Sequence, residues 1–305
     1  MSGKRNSWFW LYLLVGSVWG CSFLFISLGN QFLTPAGVGF WRLALGGTPL
    51  LLLSILQKKA FPTGARTWLQ LLLVSLFMNS LPSALFAFAE LHVTSSLAGI
   101  MNSITPIATI IMILAIFREE KPSSKVLFGL GIGLLGVLTV LAIWNGLGQN
   151  DPLSVLALLA AVTLYGIGGP YARRYLAPFK LDIQVQVALQ VLLAAATLAP
   201  FYFSGQLVTH TPGLINIFGM IVLGVLGTGW AYIWYYQLMA AAGSAIANSV
   251  TYLSPVVAVL VGSALLHEQV TWNELVGGAI VVLGAAISQG RLDGLIARLA
   301  RPAQK

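Results

Sequence analysis

Charge is what this chain has least of. Charged residues make up 8% of its 305 positions, 16 Lys and Arg against 8 Asp and Glu, where a globular domain carries roughly 25%. A water-soluble fold is excluded on that ground. A single cysteine, Cys21, rules out an intramolecular disulfide and a Cys-rich metal site. The three histidines, His92, His210 and His267, fall in separate predicted loops. No HExxH pair, GxSxG turn or GxxxxGK loop is present, so the common metal, nucleophile and phosphate-cradling signatures are missing. The net charge of +8 is scattered over short loops and tails rather than gathered in a nucleic-acid-binding stripe.

What the chain has instead is hydrophobic length: 58% of it is apolar. Crossing a ~30 Å hydrocarbon core as a helix takes about 20 such residues. Ten runs qualify, at 8–28, 36–56, 67–89, 94–117, 125–144, 153–174, 183–203, 213–238, 244–266 and 272–290. The expected fold is an all-α integral membrane protein of ten transmembrane helices. The first run follows Lys4 and Arg5 but lacks a small-residue cleavage site, so it reads as a retained helix rather than a secretory leader. With the amino terminus inside, fifteen of the sixteen basic residues fall on the cytoplasmic side, whereas the outer loops hold acids such as Asp151, Glu268 and Glu274. Arg42, inside the second run, is the exception. Both termini are therefore expected in the cytoplasm, in an inner or plasma membrane.

A shift of 149 residues lays Ser95 on Ser244, Ala98 on Ala247, Pro106 on Pro255, Glu119 on Glu268 and Gly129 on Gly278. Each copy holds five helices, and because five is odd the second copy must enter the bilayer from the opposite face. The expected organisation is a first repeat over 1–148, an inverted second repeat over 149–290 and a cytoplasmic tail over 291–305. In inverted repeats of this kind the solute site lies between the halves near the midplane. At about 100° per residue, Ser95, Asn102, Pro106 and Thr109 share one face of the fourth helix. Ser244, Thr251, Pro255 and Ala258 share the matching face of the ninth, with Asn248 beside it. A polar stripe broken by proline suits a pathway lining; interhelical packing is the alternative.

The stretches AELHVTSSLAGIMNSITPIATIIMILAIFREEKPSSKVLFGLGIGLLGVLTV (89–140) and LGVLGTGWAYIWYYQLMAAAGSAIANSVTYLSPVVAVLVGSALLHEQVTWNELVGGAIVVLGAAIS (223–288) resemble the two copies of the EamA-type transporters of the drug/metabolite transporter superfamily. Both stretches carry a small-residue run, a helix proline, a glutamate near the helix end and a Gly-rich helix after it. The resemblance covers essentially the whole chain. It implies a carrier whose central cavity is formed by helices one to four and six to nine, with helices five and ten more peripheral, and it implies export. Relatives of this type move amino acids, sugars, nucleotides, amines and drugs, so it names no substrate.

Arg42 is the sharpest single residue. An arginine about 9 Å inside the outer boundary costs up to ~2.5–3.5 kcal/mol on insertion scales. Its guanidinium would bind a substrate carboxylate or phosphate, pair with Glu90 as an outer gate, or snorkel to the surface. Glu90 and His92, where the third helix meets the outside, are candidates for gating or proton coupling; ordinary loop roles are the alternative. Trp230, Trp234 and Gln237 share a face of the eighth helix that could hold an aromatic solute or form an interfacial belt. Gln186 and Gln190 on the seventh helix and Asn79 on the third are candidate cavity amides or helix-to-helix bonds. Gly16 and Gly20, like Gly129 and Gly133, make close-packing pairs, and a homodimer seam along helix five or ten stays open.

The function expected is a secondary transporter, an exporter of a small polar or amphipathic metabolite such as an amino acid, working by alternating access. A proton-independent facilitator, a lipid or drug flippase of the same fold and a polytopic membrane enzyme are the alternatives. The partners expected are a small-molecule substrate and the bilayer, with no nucleic acid, no metal and no cofactor.

Overall fold

A computed structural model describes residues 7–117, 124–140, 142, 144, 151–205, 207–242, 249–288 and 292. Among these residues the chain is helical throughout, with no strand. The helices are α1 (Ser7–Asn30), α2 (Pro35–Leu56), α3 (Ala65–Ala89), α4 (Ser95–Ile116), α5 (Ser124–Val140) and α6 (Pro152–Phe179). They continue as α7 (Ile183–Phe203), α8 (Leu214–Leu238), α9 (Ser254–Leu265) and α10 (Trp272–Ser288). Seven of them, all but α5, α9 and α10, are long and apolar enough to cross a membrane; those three are shorter apolar helices. Between 39% and 56% of each long span is buried within the protein, so the other half of each helix presents its apolar side chains outward. Phe201 and Leu214, at 71% and 88% exposure, belong to that outer face. A surface this apolar is stable only in lipid, and the chain is a multi-pass membrane protein.

Polar residues cluster where helices start, because the first amide groups of a helix have no partner within it. Thr34, Thr94, Asp151 and Asp182 cap α2, α4, α6 and α7. Asp151 accepts the Ser154 amide and hydroxyl, each at 2.8 Å. Those bonds hold the exposed Asp151 carboxyl below the ordinary aspartate range.

α2 and α7 run antiparallel. Gly37 faces Tyr202 near one end and Ser54 takes the Gln184 amide at 3.0 Å near the other. α8 crosses α2 at glycines, where a Cβ added at Gly46 would stand 2.7 Å from the Gly224 carbonyl oxygen. α9 lies between α1 and α4, with Gly16 and Gly20 of α1 against its Leu253 and Val257 and Gly99 of α4 against its Ala258. α5 and α10 pack antiparallel through their small residues. A Cβ on Gly136 would meet the Val281 amide at 2.6 Å, and Gly284 abuts Gly129 and Gly133. The glycine face proposed for a seam between copies is thus covered by α10 of the same chain.

The two prolines act differently from a kink inside a continuous rod. α4 is interrupted at Ser103–Ile104, and Pro106 stands in the first turn of the stretch that resumes at Thr105. Pro255 likewise stands in the first turn of α9, after a short 3₁₀ turn over Ser249–Tyr252. A missing N–H costs nothing in a first turn, so each proline restarts a helix instead of bending one. Four π-helical turns interrupt the long helices, at Leu76–Ser80 in α3, Ile113–Phe117 in α4, Ala172–Leu176 in α6 and Val225–Trp230 in α8.

Candidate functional site

A cavity of about 560 Å³ lies between the helices, within the usual size of a small-molecule site. Its walls come from α1, α2, α3, α4, α6, α7 and α8, with Thr251 just ahead of α9. One end is open, lined by Arg173, Arg174 and Lys180, all exposed. Among the described residues none in the loops 31–34, 91–94, 207–213 or 266–271 lines it, so the described cavity has no opening at the opposite, shut end. Towards that end Phe23, Phe86 and Tyr165 stack in succession, with ring centroids 5.6 and 6.1 Å apart.

Arg42 lines the cavity and is half-buried. Its Nε donates to the Thr228 hydroxyl oxygen at 3.0 Å. Thr228 in turn donates to the Leu223 carbonyl, five residues back, at 3.1 Å. That carbonyl is within reach because the helix widens to a π turn there. The hydroxyl thus has a fixed direction, and the guanidinium it holds is turned inward rather than out to the surface. Among the described residues the one ion pair within 4.0 Å joins Lys59 to Asp182, at 2.8 Å; Arg42 does not pair with Glu90.

The repeat has a second copy of this arrangement. Gln190 of α7 donates to Asn79 Oδ1 of α3 at 2.6 Å, in a fully buried contact. Asn79 lies in the Leu76–Ser80 π turn, and the shift of 149 residues carries it onto Thr228. Ser75 meets the Gln190 carbonyl at 2.7 Å, as its counterpart Gly224 lies against the Arg42 carbonyl. Arg42 with Thr228 bridges α2 to α8 and Gln190 with Asn79 bridges α7 to α3; the shift carries Arg42 onto Val191, the neighbour of Gln190, so the two bridges correspond to within one residue. The first faces the cavity and the second is dry.

Of the other residues singled out from the sequence, Asn102, Pro106, Gln186 and Thr251 line the cavity. Trp230 packs on the α2–α7 contact and Trp234 beside α1, whereas Gln237 is exposed. The wall on that helix is made by Tyr232, Tyr235 and Tyr236. Helical periodicity sorts side chains into faces without saying which face turns inward, and here the tyrosine face does. The Tyr236 hydroxyl is buried next to the Gln186 amide but outside hydrogen-bonding geometry. Asn248 lies outside the described residues. Thr228, Tyr165 and Trp19 escaped the sequence reading; for Thr228 the signal was available, since the repeat places it on Asn79.

The shut end is held by one carboxylate. Glu268, in the loop between α9 and α10, accepts the Ser95 amide and hydroxyl at 2.8 Å each through Oε1. Through Oε2 it accepts the Ser96 amide at 3.0 Å and hydroxyl at 2.6 Å. Four bonds from the first turn of α4 converge on a group 173 residues away in the chain. Glu90 is buried nearby, and neither of its oxygens has a partner among the described residues. His92 is exposed, its ring edge-on to Phe88. Among the described residues no cluster of His, Cys, Asp or Glu could hold a metal ion.

The model of the EamA-like transporter family matches this chain twice, over residues 6–142 and 152–289. An uncharacterized transporter of Archaeoglobus fulgidus is 26% identical over 91% of this chain and 97% of its own length. The uncharacterized transporter YoaV of Bacillus subtilis is 23% identical, covering 88% of this chain and 91% of its own. The uncharacterized inner membrane transporter YedA of Escherichia coli is 25% identical, covering 88% and 86%. A crystal structure of another protein superposes with a TM-score of 0.65 at 18% identity, over 96% of this chain and 99% of that one, which speaks to the fold. A cavity between helices from both ends of the chain, on a sequence matched twice by one transporter model, has one classification: the chain belongs to the EamA-like transporter family.

Proposed function

We propose that this protein is a secondary carrier that exports a small polar or amphipathic metabolite by alternating access. In this reading α1–α5 and α6–α10 cross the membrane in opposite senses, ten crossings in all, with both termini in the cytoplasm. The observation that carries it is a cavity walled by both halves, open at one end only and shut at the other by contacts between them. The pattern of helix contacts supports the inversion. Exchanging the halves turns α1 against α9 into α6 against α4, and α2 against α8 into α7 against α3, while α2–α7, α4–α9 and α5–α10 map onto themselves. The basic residues at the cavity mouth support a cytoplasmic open end, since basic residues are enriched on the cytoplasmic side of membrane proteins.

Arg42, Asn102, Gln186 and Thr251 contact the solute in this reading, and Asn79 with Gln190 keeps the two halves in register. Glu90 is the buried acid placed to take a coupling proton when the outer end opens, with His92 at its entrance. A homodimer, if formed, uses the lipid-facing surface of α5 or α10 rather than their glycines.

Two measurements test the carrier. Solute flux in proteoliposomes should saturate and show counterflow; linear, non-saturating flux would indicate a channel. In a Cys21→Ala background, a membrane-impermeant maleimide should label Thr211→Cys on intact cells and Lys180→Cys only after permeabilisation. Labelling of both from one side would overturn the topology.

A further inference from the structure

The cavity is electrically one-sided. Arg42 lines it, Arg173, Arg174 and Lys180 stand at its mouth, and among the described residues that line it none is an Asp or Glu. The carboxylate nearest the mouth in sequence, Asp182, is taken by Lys59. Among the described lining residues a cation would meet only like charge, and a zwitterion would find no carboxylate for its ammonium, Glu90 being buried behind the wall rather than lining it. In a site of low dielectric such mismatches are far costlier than in water. An anion, by contrast, is drawn in by the mouth and then meets a single oriented guanidinium. The Thr228 bond occupies Nε. The two Nη groups remain for a carboxylate or phosphate, which they can grip as a fork.

Beside Arg42 and the polar side chains of Asn102, Gln186 and Thr251, the wall carries an aromatic face. Trp19 and Tyr232 lie edge to face at 5.8 Å, Trp19 and Tyr235 are tilted at 5.3 Å, and Phe23, Phe86 and Tyr165 stand towards the shut end. Such a face suits a flat or branched apolar body. We propose that the carried solute is an organic anion, a carboxylate or phosphate monoester on an apolar or aromatic body, with its charge on Arg42 and its body against the Trp19–Tyr232–Tyr235 wall. This rests on the carrier function above and narrows it to one class of substrate.

A matched series isolates the charge. Phenylacetate, phenylacetamide and phenethylamine share one body and carry charges of −1, 0 and +1. Phenyl phosphate and indole-3-acetate vary the head and the body. Binding to the purified full-length protein is read by tryptophan quenching and thermal shift, and flux by counterflow in phosphatidylcholine vesicles. The expected order is anion, then amide, then amine. Arg42→Gln should weaken each anion by on the order of tenfold or more while leaving the amide within about twofold, and Arg42→Lys should recover part of the loss.

Equal or tighter binding of the amine, or no binding by any of the three anions at millimolar concentration, overturns the proposal. So does an Arg42→Gln variant that folds, with an unchanged thermal midpoint, and still prefers the anions. Anion binding without counterflow leaves the charge preference standing and defeats the carrier reading instead. Loss of anion binding on adding phosphatidylglycerol would identify a lipid headgroup as the source of the anion; indifference to it would identify a soluble one.

Discussion

In the function proposed above Arg42 meets the solute, and the side chain that holds it is Thr228. An arginine inside a membrane span is costly unless its fork is satisfied or wet. Here one nitrogen is fixed by a hydroxyl that is itself fixed by the Leu223 carbonyl. Thr228→Val keeps the shape and removes both bonds. It should free the guanidinium to swing, raising KM for the carried solute about tenfold with little change in maximal flux, and Thr228→Ser should restore it. An unchanged KM in the Val variant would show that Thr228 does not position Arg42. The sequence pointed to Arg42 by its burial cost alone, but its three readings were separated only by the folded neighbourhood. It neither pairs with Glu90 nor snorkels.

At the scale of the element, the helices here are set by their first turns. Asp182 both caps α7 and binds Lys59 of the 57–64 loop. Partial burial pushes its carboxyl up, but the Lys59 bond and the Val185 and Gln184 amides outweigh this and hold it below the usual aspartate value. A depressed acid stabilises the folded state above its unfolded pKa, near 3.9. That contribution is lost as pH falls through the lower folded value. Asp182→Ala should therefore cost about 1 kcal/mol at pH 7 and progressively less below about pH 4. Thermal midpoints of both proteins from pH 7 to pH 3 check this, and a pH-independent gap would refute it. Caps of this kind have a local signal, a Thr or Asp ahead of an apolar run, that the sequence reading above did not use. The helix interruptions were less legible. The two prolines marked where α4 and α9 restart, but nothing in apolar periodicity announces a π turn, because one extra residue in a turn is silent until neighbours are in place.

For the whole molecule, the decisive contact is the one Glu268 makes with Ser95 and Ser96. It ties the second half to the first at the shut end of the cavity. Glu268→Gln replaces one accepting oxygen with an NH₂ that faces two donors. It should destabilise that closure by on the order of 2–3 kcal/mol. In a Cys21→Ala background, Asn102→Cys should react with an impermeant maleimide on intact cells only when Glu268 is also changed. Equal labelling with and without the Glu268 change would mean that this contact does not hold the outer end shut.

Composition and the 149-residue repeat were enough for the membrane class, for the two related halves and for singling out Pro106, Pro255 and Glu268, because hydrophobic length and internal similarity are properties of the chain itself. Glu119 lies outside the described residues, but its partner in the repeat has a role that no local pattern could supply. Which face of α8 lines the cavity, why Asn79 with Gln190 lies away from it while Arg42 beside Thr228 faces it, and that Glu268 closes on α4 were decided only by the tertiary structure. Each depends on which groups from distant segments come within bonding distance, and distance through space is not written in the order of residues.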